Sequence, residues 1–337
     1  MRAGRCTRQQ AFRTRCAAPR SPRVPFMLPG TSTNASPERR ALAPRARLPS
    51  IGWALLSLMR PANVLTAHSD ILAGYAVAGA ADSVRLWLLL LATTGLYGGG
   101  VVLNDVFDAK LDAVERTERS IPSGAISVTA ASMFGGLLLI GGVLVAWICS
   151  PLSGAVALAT AISALLYDSW GKHHPVWGPL NMGLCRGLNL SLGLTAALLA
   201  PFAHWPAALV TLCYVAGITA LSRGEVRGGT RIAASISCVW LIVSLGALVA
   251  LVYPQGQRGA FALPFFALLL YRIGKPFWRA FRSLSAPRIR SAVKAGVLSL
   301  IVLNACIAAA FAGLWCGIAI LLLYLPAFLL ARLFAVT

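Results

Sequence analysis

From residue 61 to residue 334 the chain is an almost unbroken succession of apolar segments, each about long enough to cross a lipid bilayer. A spanning helix needs about 20 predominantly apolar residues. Inside lipid only helices and closed barrels satisfy their own backbone polar groups. Nine or ten such segments can be marked, at roughly 61–81, 86–107, 127–148, 151–168, 178–200, 206–222, 231–253, 259–272, 292–312 and 313–334. With 58% hydrophobic residues, 12% charged residues and mean hydropathy +0.74, most of the chain is built for a lipid solvent. The expected fold is an all-α membrane bundle, with small residues such as Gly95, Gly98, Gly99, Gly100 and Gly183 letting helices approach closely.

Residues 1–50 differ in kind: eleven Arg, no Lys, one acid (Glu38), and many Ser, Pro, Ala and Thr. That composition predicts a basic organellar transit peptide preceding a polytopic membrane domain at 51–337. A plastid membrane is the expected destination, with the mitochondrial inner membrane as the alternative. Removing the eleven Arg and one Glu from the formal charge of +20 leaves 19 basic and 9 acidic residues, or +10. These cations sit beside membrane spans, so no nucleic-acid partner is expected. With ten spans, Lys110, Arg116, Arg119, Lys172, Arg223, Arg227 and the run from Arg272 to Lys294 share one face, which the positive-inside rule makes cytosol-like. The eight Cys form no regular framework and read as buried thiols, and the four His have no metal-binding spacing.

Half of the ten acidic residues fall between Asp105 and Glu118, where an apolar segment ends. Carboxylates are costly near lipid, so the cluster demands a purpose. On a helix, Asn104, Asp108 and Asp112 stack along one face at i, i+4 and i+8, with Asp105 on an adjoining face. Oxygen ligands of this kind suit Mg²⁺, which prefers one or two carboxylates plus waters and substrate phosphate oxygens. The competing reading, a solvated helix end with pairs such as Asp112 and Arg116, does not explain why the cluster emerges from an apolar run together with Asn104.

Asn104-Asp105-x-x-Asp108-x-x-x-Asp112, followed by Arg119-Ser-Ile-Pro122-Ser-Gly124, resembles the first signature of the UbiA superfamily of intramembrane prenyltransferases, NDxxDxxxD followed by RPxPSG. Arg60-Pro61-x-Asn63 is similar to that family's opening, and the resemblance extends over roughly residues 58–312. The segments 178–193 and 222–229 resemble the UbiA-like branch found in ebo-type gene clusters. The resemblance implies a bundle of nine, here with a possible tenth, transmembrane helices around a central cavity. It also implies that Mg²⁺ holds a polyprenyl diphosphate, whose prenyl group passes to a membrane-soluble, aromatic or lipid-like acceptor.

The residue roles it implies are metal binding at Asn104, Asp105, Asp108, Asp112 and Glu225, and catalysis at Asp108, Asp112 and Lys172. Substrate contacts are expected at Asn63, Arg116, Arg119 and Tyr167, at Asn181 and Arg186 as polar groups inside a predicted span, and at Arg223 and Arg227 as cations able to take part of the diphosphate charge. The loop Leu221–Thr230 departs from the family, which has two or three Asp there. Glu225 is its one carboxylate, and Arg223 and Arg227 flank it. Two other classes therefore stay open: a catalytically reduced carrier or assembly protein on the same scaffold, and a CDP-alcohol phosphotransferase. The latter is disfavoured because no DGxxAR element accompanies the aspartates.

Overall fold

Helix starts are written into the sequence as caps. The Asp82 carboxylate accepts from the amides of Val84 and Arg85, and Ser127, Ser150 and Thr230 accept from residues three further on. Each satisfies an amide that the first helical turn leaves orphaned. Pro61 and Pro151 open their helices at a position where a missing N–H costs nothing.

In the computed structural model these signals produce helices throughout the described residues, which are 50–197, 200–226 and 228–334. The transit-peptide segment, apart from Ser50, lies outside them, as do Cys6, Cys16 and Arg227. A short helix α1 (Ile51–Met59) precedes α2 (Pro61–Val77), α3 (Ser83–Phe107), α4 (Ala109–Glu115), α5 (Val128–Cys149) and α6 (Pro151–Ser169). There follow α7 (Trp177–Leu194), α8 (Ala200–Ser222), α9 (Arg231–Val252), the single turn α10 (Gln257–Ala260), α11 (Leu263–Ser283) and α12 (Ala286–Ala312). The chain closes with α13 (Leu314–Leu321) and α14 (Tyr324–Leu333).

Among the described residues, eight helical segments are long and apolar enough to cross a membrane. The expected spans at 61–81 and 178–200 are not among them. They form α2 and α7, which place Asn63, Thr66, Ser69, Asp70, Arg186 and Asn189 in the protein interior. Helices enclosed by other helices need no lipid-compatible surface, so their polarity reports position in the bundle. Three further boundaries move. The segment expected to end at 272 continues to Ser283, because its cations occupy the exposed side of an amphipathic helix. The one expected at 206 begins at Ala200, with non-helical geometry at His204 two residues before Pro206. The last segment divides into α13 and α14.

Successive long helices run antiparallel, and side-chain pairs show which ends meet. Arg60 at the start of α2 bonds Asp105 near the end of α3, and Asn104 bonds Asp168 near the end of α6. Arg223 after α8 bonds the loop between α6 and α7, and the amide of Gly229 donates to the carbonyl of Leu284 after α11. The polar chemistry thus gathers at one end of the bundle.

Close approach of α3 and α5 depends on glycines of both helices, Gly95 and Gly99 on α3 and Gly135 and Gly142 on α5. A Cβ added at Gly95 would lie 2.6 Å from the Leu138 carbonyl oxygen, and one at Gly99 would lie 2.8 Å from that of Gly135. Gly100, expected in the same role, has only ordinary contact at 3.5 Å from the Ala164 Cβ. Gly95→Val should therefore cost about 1–3 kcal/mol by overpacking, read as a lower melting temperature of the purified protein. Gly100→Ala should melt as the parent does, and equal melting of all three proteins would refute this account of the α3–α5 contact.

Candidate active site

Backbone bonds keep the i, i+4 spacing intact across the acidic stretch: Asp108 N to Asn104 O, Asp112 N to Asp108 O, and Arg116 N to Asp112 O. The side chains nevertheless diverge. Asn104 and Asp108 line a cavity of about 290 Å³, whereas Asp105 and Asp112 do not. Asp105 receives Arg60 at 2.7 Å and Arg119 at 3.2 Å, and Asp112 receives the same Arg119 nitrogen at 2.7 Å. Asp105 is 6% exposed and Asp112 4%. These two carboxylates neutralise and aim arginines whose side chains reach the cavity wall.

The other expected residues separate in the same way. Asn63, Arg116, Arg119, Tyr167, Arg186 and Glu225 line the cavity. Lys172 does not line it, but its Nζ lies 2.6 Å from Asp108 Oδ1, at the cavity's charged rim. Arg223 turns away. Its guanidinium donates to the carbonyls of Lys172, His173 and His174 at 3.1, 3.4 and 3.2 Å, which straps down the loop that presents Lys172. Asn181 accepts from the Ser163 hydroxyl and packs beside Gly171, bracing the α6–α7 connection without reaching the cavity.

Two acids that sequence reasoning passed over prove central. Asp168 lines the cavity and accepts from Asn104 Nδ2 at 2.7 Å. Asp70 is fully enclosed, with Arg186 Nε 3.0 Å from its Oδ2, Asn189 Nδ2 at 3.0 Å and Asn304 Nδ2 at 2.7 Å. Each is a lone acid inside an apolar segment, which was itself the available signal. Arg186 also faces the Tyr97 ring, 5.3 Å from its centroid.

Between the polar rim and this interior network the cavity wall is apolar, with Leu96, Val101, Met182, Ile218, Val293 and Leu300 among its residues. The space is amphipathic, charged at the helix ends and oily within.

Glu225 is 7% exposed, and one of its carboxylate oxygens has no hydrogen-bond partner. Burial pushes its pKa up to about 7, against the opposing pull of Arg116, Arg290, Arg60 and Arg119. Between the ordinary value of 4.5 and about 7 the folded protein holds a proton that the unfolded chain releases, so stability from this group falls as pH rises through that window. A cation beside the carboxylate would reverse that cost.

Among the described residues no three His, Cys, Asp or Glu side chains are close enough to hold a metal ion by themselves. Among the residues lining the cavity are the oxygen donors Asn104, Asp108, Asp168 and Glu225. That set, with an unpartnered Glu225 oxygen, fits a hard divalent cation that completes its shell with water or substrate oxygens.

Comparison with known proteins bears on the family and the fold. The UbiA prenyltransferase family matches residues 70–283. The chain is 37% identical over 145 residues to the digeranylgeranylglyceryl phosphate synthase of Methanothrix thermoacetophila, covering 42% of this chain and 54% of that one. It is 31% identical over 166 residues to the corresponding synthase of Methanoregula boonei, covering 49% and 57%. The chain thus spans about half the length of the curated relatives it matches. Among solved structures, a UbiA homolog from Aeropyrum pernix K1 superposes with TM-score 0.63 at 17% identity over 72% of this chain and 96% of that one. A UbiA homolog from Archaeoglobus fulgidus bound to DMAPP and Mg²⁺ gives 0.58 at 16% identity over 77% and 99%. At such identities the structures speak for the fold, and the match over residues 70–283 speaks for descent: this chain belongs to the UbiA prenyltransferase family.

Proposed function

We propose that the protein transfers a polyprenyl group from an isoprenyl diphosphate to a membrane-soluble acceptor, aromatic or lipid-like, with Mg²⁺ as cofactor. The observation that carries this reading is a cavity with a charged rim and an apolar wall, enclosed in a bundle that contains eight helical segments long and apolar enough to cross a membrane. A diphosphate ester with an isoprenoid tail has the same two-part chemistry. The A. fulgidus homolog was solved with such an ester and Mg²⁺.

Arg116 and Arg119 face the diphosphate and offer charge-assisted hydrogen bonds to its oxygens, with Lys172 at the rim beside them. Asp105 and Asp112 position Arg119 from behind, and Arg223 holds the loop bearing Lys172. Asn104, Asp108, Asp168 and Glu225 would hold Mg²⁺, which neutralises charge building on the departing diphosphate. The allylic C–O bond breaks with its electron pair leaving on diphosphate. The acceptor forms the new bond to carbon and gives up a proton. The apolar wall excludes water, which would otherwise capture the allylic carbon.

Within the family we place the chain nearest the branch found in ebo-type gene clusters, on the strength of residues 178–193 and 222–229. The Arg-rich, acid-poor composition of residues 1–50 supports a transit peptide, and the ebo-type resemblance favours a plastid destination. The carrier reading draws on Glu225 being the one carboxylate between Leu221 and Thr230. Purified protein incubated with Mg²⁺, radiolabelled isoprenyl diphosphates and a membrane lipid extract should yield labelled lipid and free diphosphate. Specific binding of the labelled diphosphate with no labelled lipid would select the carrier, and no binding at all would reject both.

A further inference from the structure

The lower half of α11 and the first turns of α12 carry a basic groove that the prenyl-transfer site does not use. Phe265, Leu269, Ile273, Phe277 and Ala280 form the buried stripe of α11. On the outer side of the same helix Tyr271, Lys275, Trp278 and Arg282 recur at i, i+4, i+7 and i+11, so they share one face. Arg279 and, from α12, Arg288 complete a groove of about 780 Å³. Among the described residues none of Lys275, Arg279, Arg282 and Arg288 has an acidic partner within 4.0 Å.

Four cations without an acidic partner converging on one hollow repel each other, and among the described residues only Arg282 of the four finds a cation–π contact, over the Trp278 ring at 5.9 Å. A topogenic charge bias does not require this convergence. Cations scattered through a loop satisfy the positive-inside rule equally well. Convergence makes sense if an anion fills the space. Position along the helix identifies its source. Lys275 lies eight residues before the end of α11, about 12 Å into the bundle at 1.5 Å per residue, so its ammonium reaches toward the interface along its own stem. Trp278, 64% exposed and about one turn nearer the helix end than Lys275, is of the aromatic type that anchors in the headgroup region. Deeper on the helix Leu263, Leu270 and Tyr271 are exposed, an apolar surface for acyl chains.

We infer that this groove binds the phosphate headgroup of an anionic phospholipid. Basic pockets between membrane helices on a cytosol-like face are suited to such lipids. The site is separate from the catalytic cavity but adjoins it through α12. Arg288 and Ser291 face the groove, while Val293, Val297 and Leu300 line the cavity.

The test uses the full chain purified in neutral detergent and native mass spectrometry with added phosphatidylglycerol or phosphatidylcholine. Phosphatidylglycerol should be retained at least about tenfold more strongly. The combined variant Arg279→Gln, Arg282→Gln, Arg288→Gln should lose that preference, while the three corresponding Lys substitutions should keep it. Prenyl transfer measured in neutral detergent should be unchanged in both. Equal retention of the two lipids by the parent protein overturns the inference without any variant. Parent-like retention in a folded Gln variant also overturns it, as does displacement of the lipid by inorganic phosphate, which would mark a site for a soluble anion.

Discussion

Asp108→Asn should leave a folded, membrane-inserted protein whose prenyl transfer falls by about 10²–10³, the usual loss when one stabiliser of developing transition-state charge is removed. Asp108 is the member of the acidic stretch that both lines the cavity and meets Lys172. An amide keeps its shape but is a weaker ligand for a hard cation. Asp112→Asn should behave differently, since Asp112 touches Arg119 and not the cavity. Its main effect should be a raised KM for the diphosphate, because Arg119 loses its orientation. Labelled product per mole of monodisperse protein measures both. Full activity of Asp108→Asn would remove the carboxylate from the chemistry and leave the fold assignment standing.

Asp70→Ala should be the most destabilising single change, at about 3–5 kcal/mol, because it leaves a buried charge uncompensated. The partner is Arg186, 4% exposed, whose guanidinium otherwise meets only the Thr66 carbonyl and hydroxyl and the face of Tyr97. Asn189 and Asn304 would lose their shared acceptor as well. Removing both charges together, as in Asp70→Leu with Arg186→Met, should recover much of the loss, since apolar replacement of a buried pair is often neutral. The measurement is thermal denaturation in detergent of the two single variants and the double variant. If Asp70→Ala melts with the parent, the network is not structural.

The bilayer explains why so much of the fold could be read from sequence. Apolar runs such as Leu86–Leu103 and Val128–Ile148 face lipid on one side and protein on the other, and hydropathy registers both. Its signal is weaker for α2 and α7, which form where expected but carry buried polar residues, and it misses the end of α11, where charged side chains project outward while the buried stripe continues. The site divides along a similar line. Spacing on one helix identified Asn104, Asp108 and Asp112, because their relation is local. Asp168 and Asp70 have no such relation. Their importance comes from helices brought together across 64 and 116 residues, in the bonds to Asn104 and Arg186. Arg223 shows the converse: flanking the loop carboxylate suggested a ligand contact, whereas three backbone carbonyls claim its guanidinium.

The rim's ion pairs set how ligands of opposite sign must treat one another. Arg119 is committed to Asp112 and Asp105, and Lys172 to Asp108. An anion that takes Arg119 or Lys172 on its own has to pull that cation off its carboxylate, and a divalent cation that takes Asp108 on its own has to do the reverse. When the two arrive together they exchange partners, and no charge is left bare. Linkage makes this coupling mutual: whatever factor one ligand adds to the other's affinity, it receives in return, commonly about 5- to 150-fold. At these two cations the rim favours the pair over either member alone. Once the pair departs, Arg119 and Lys172 close back onto their aspartates, so the protein carries its own stand-in for the ligand it has released.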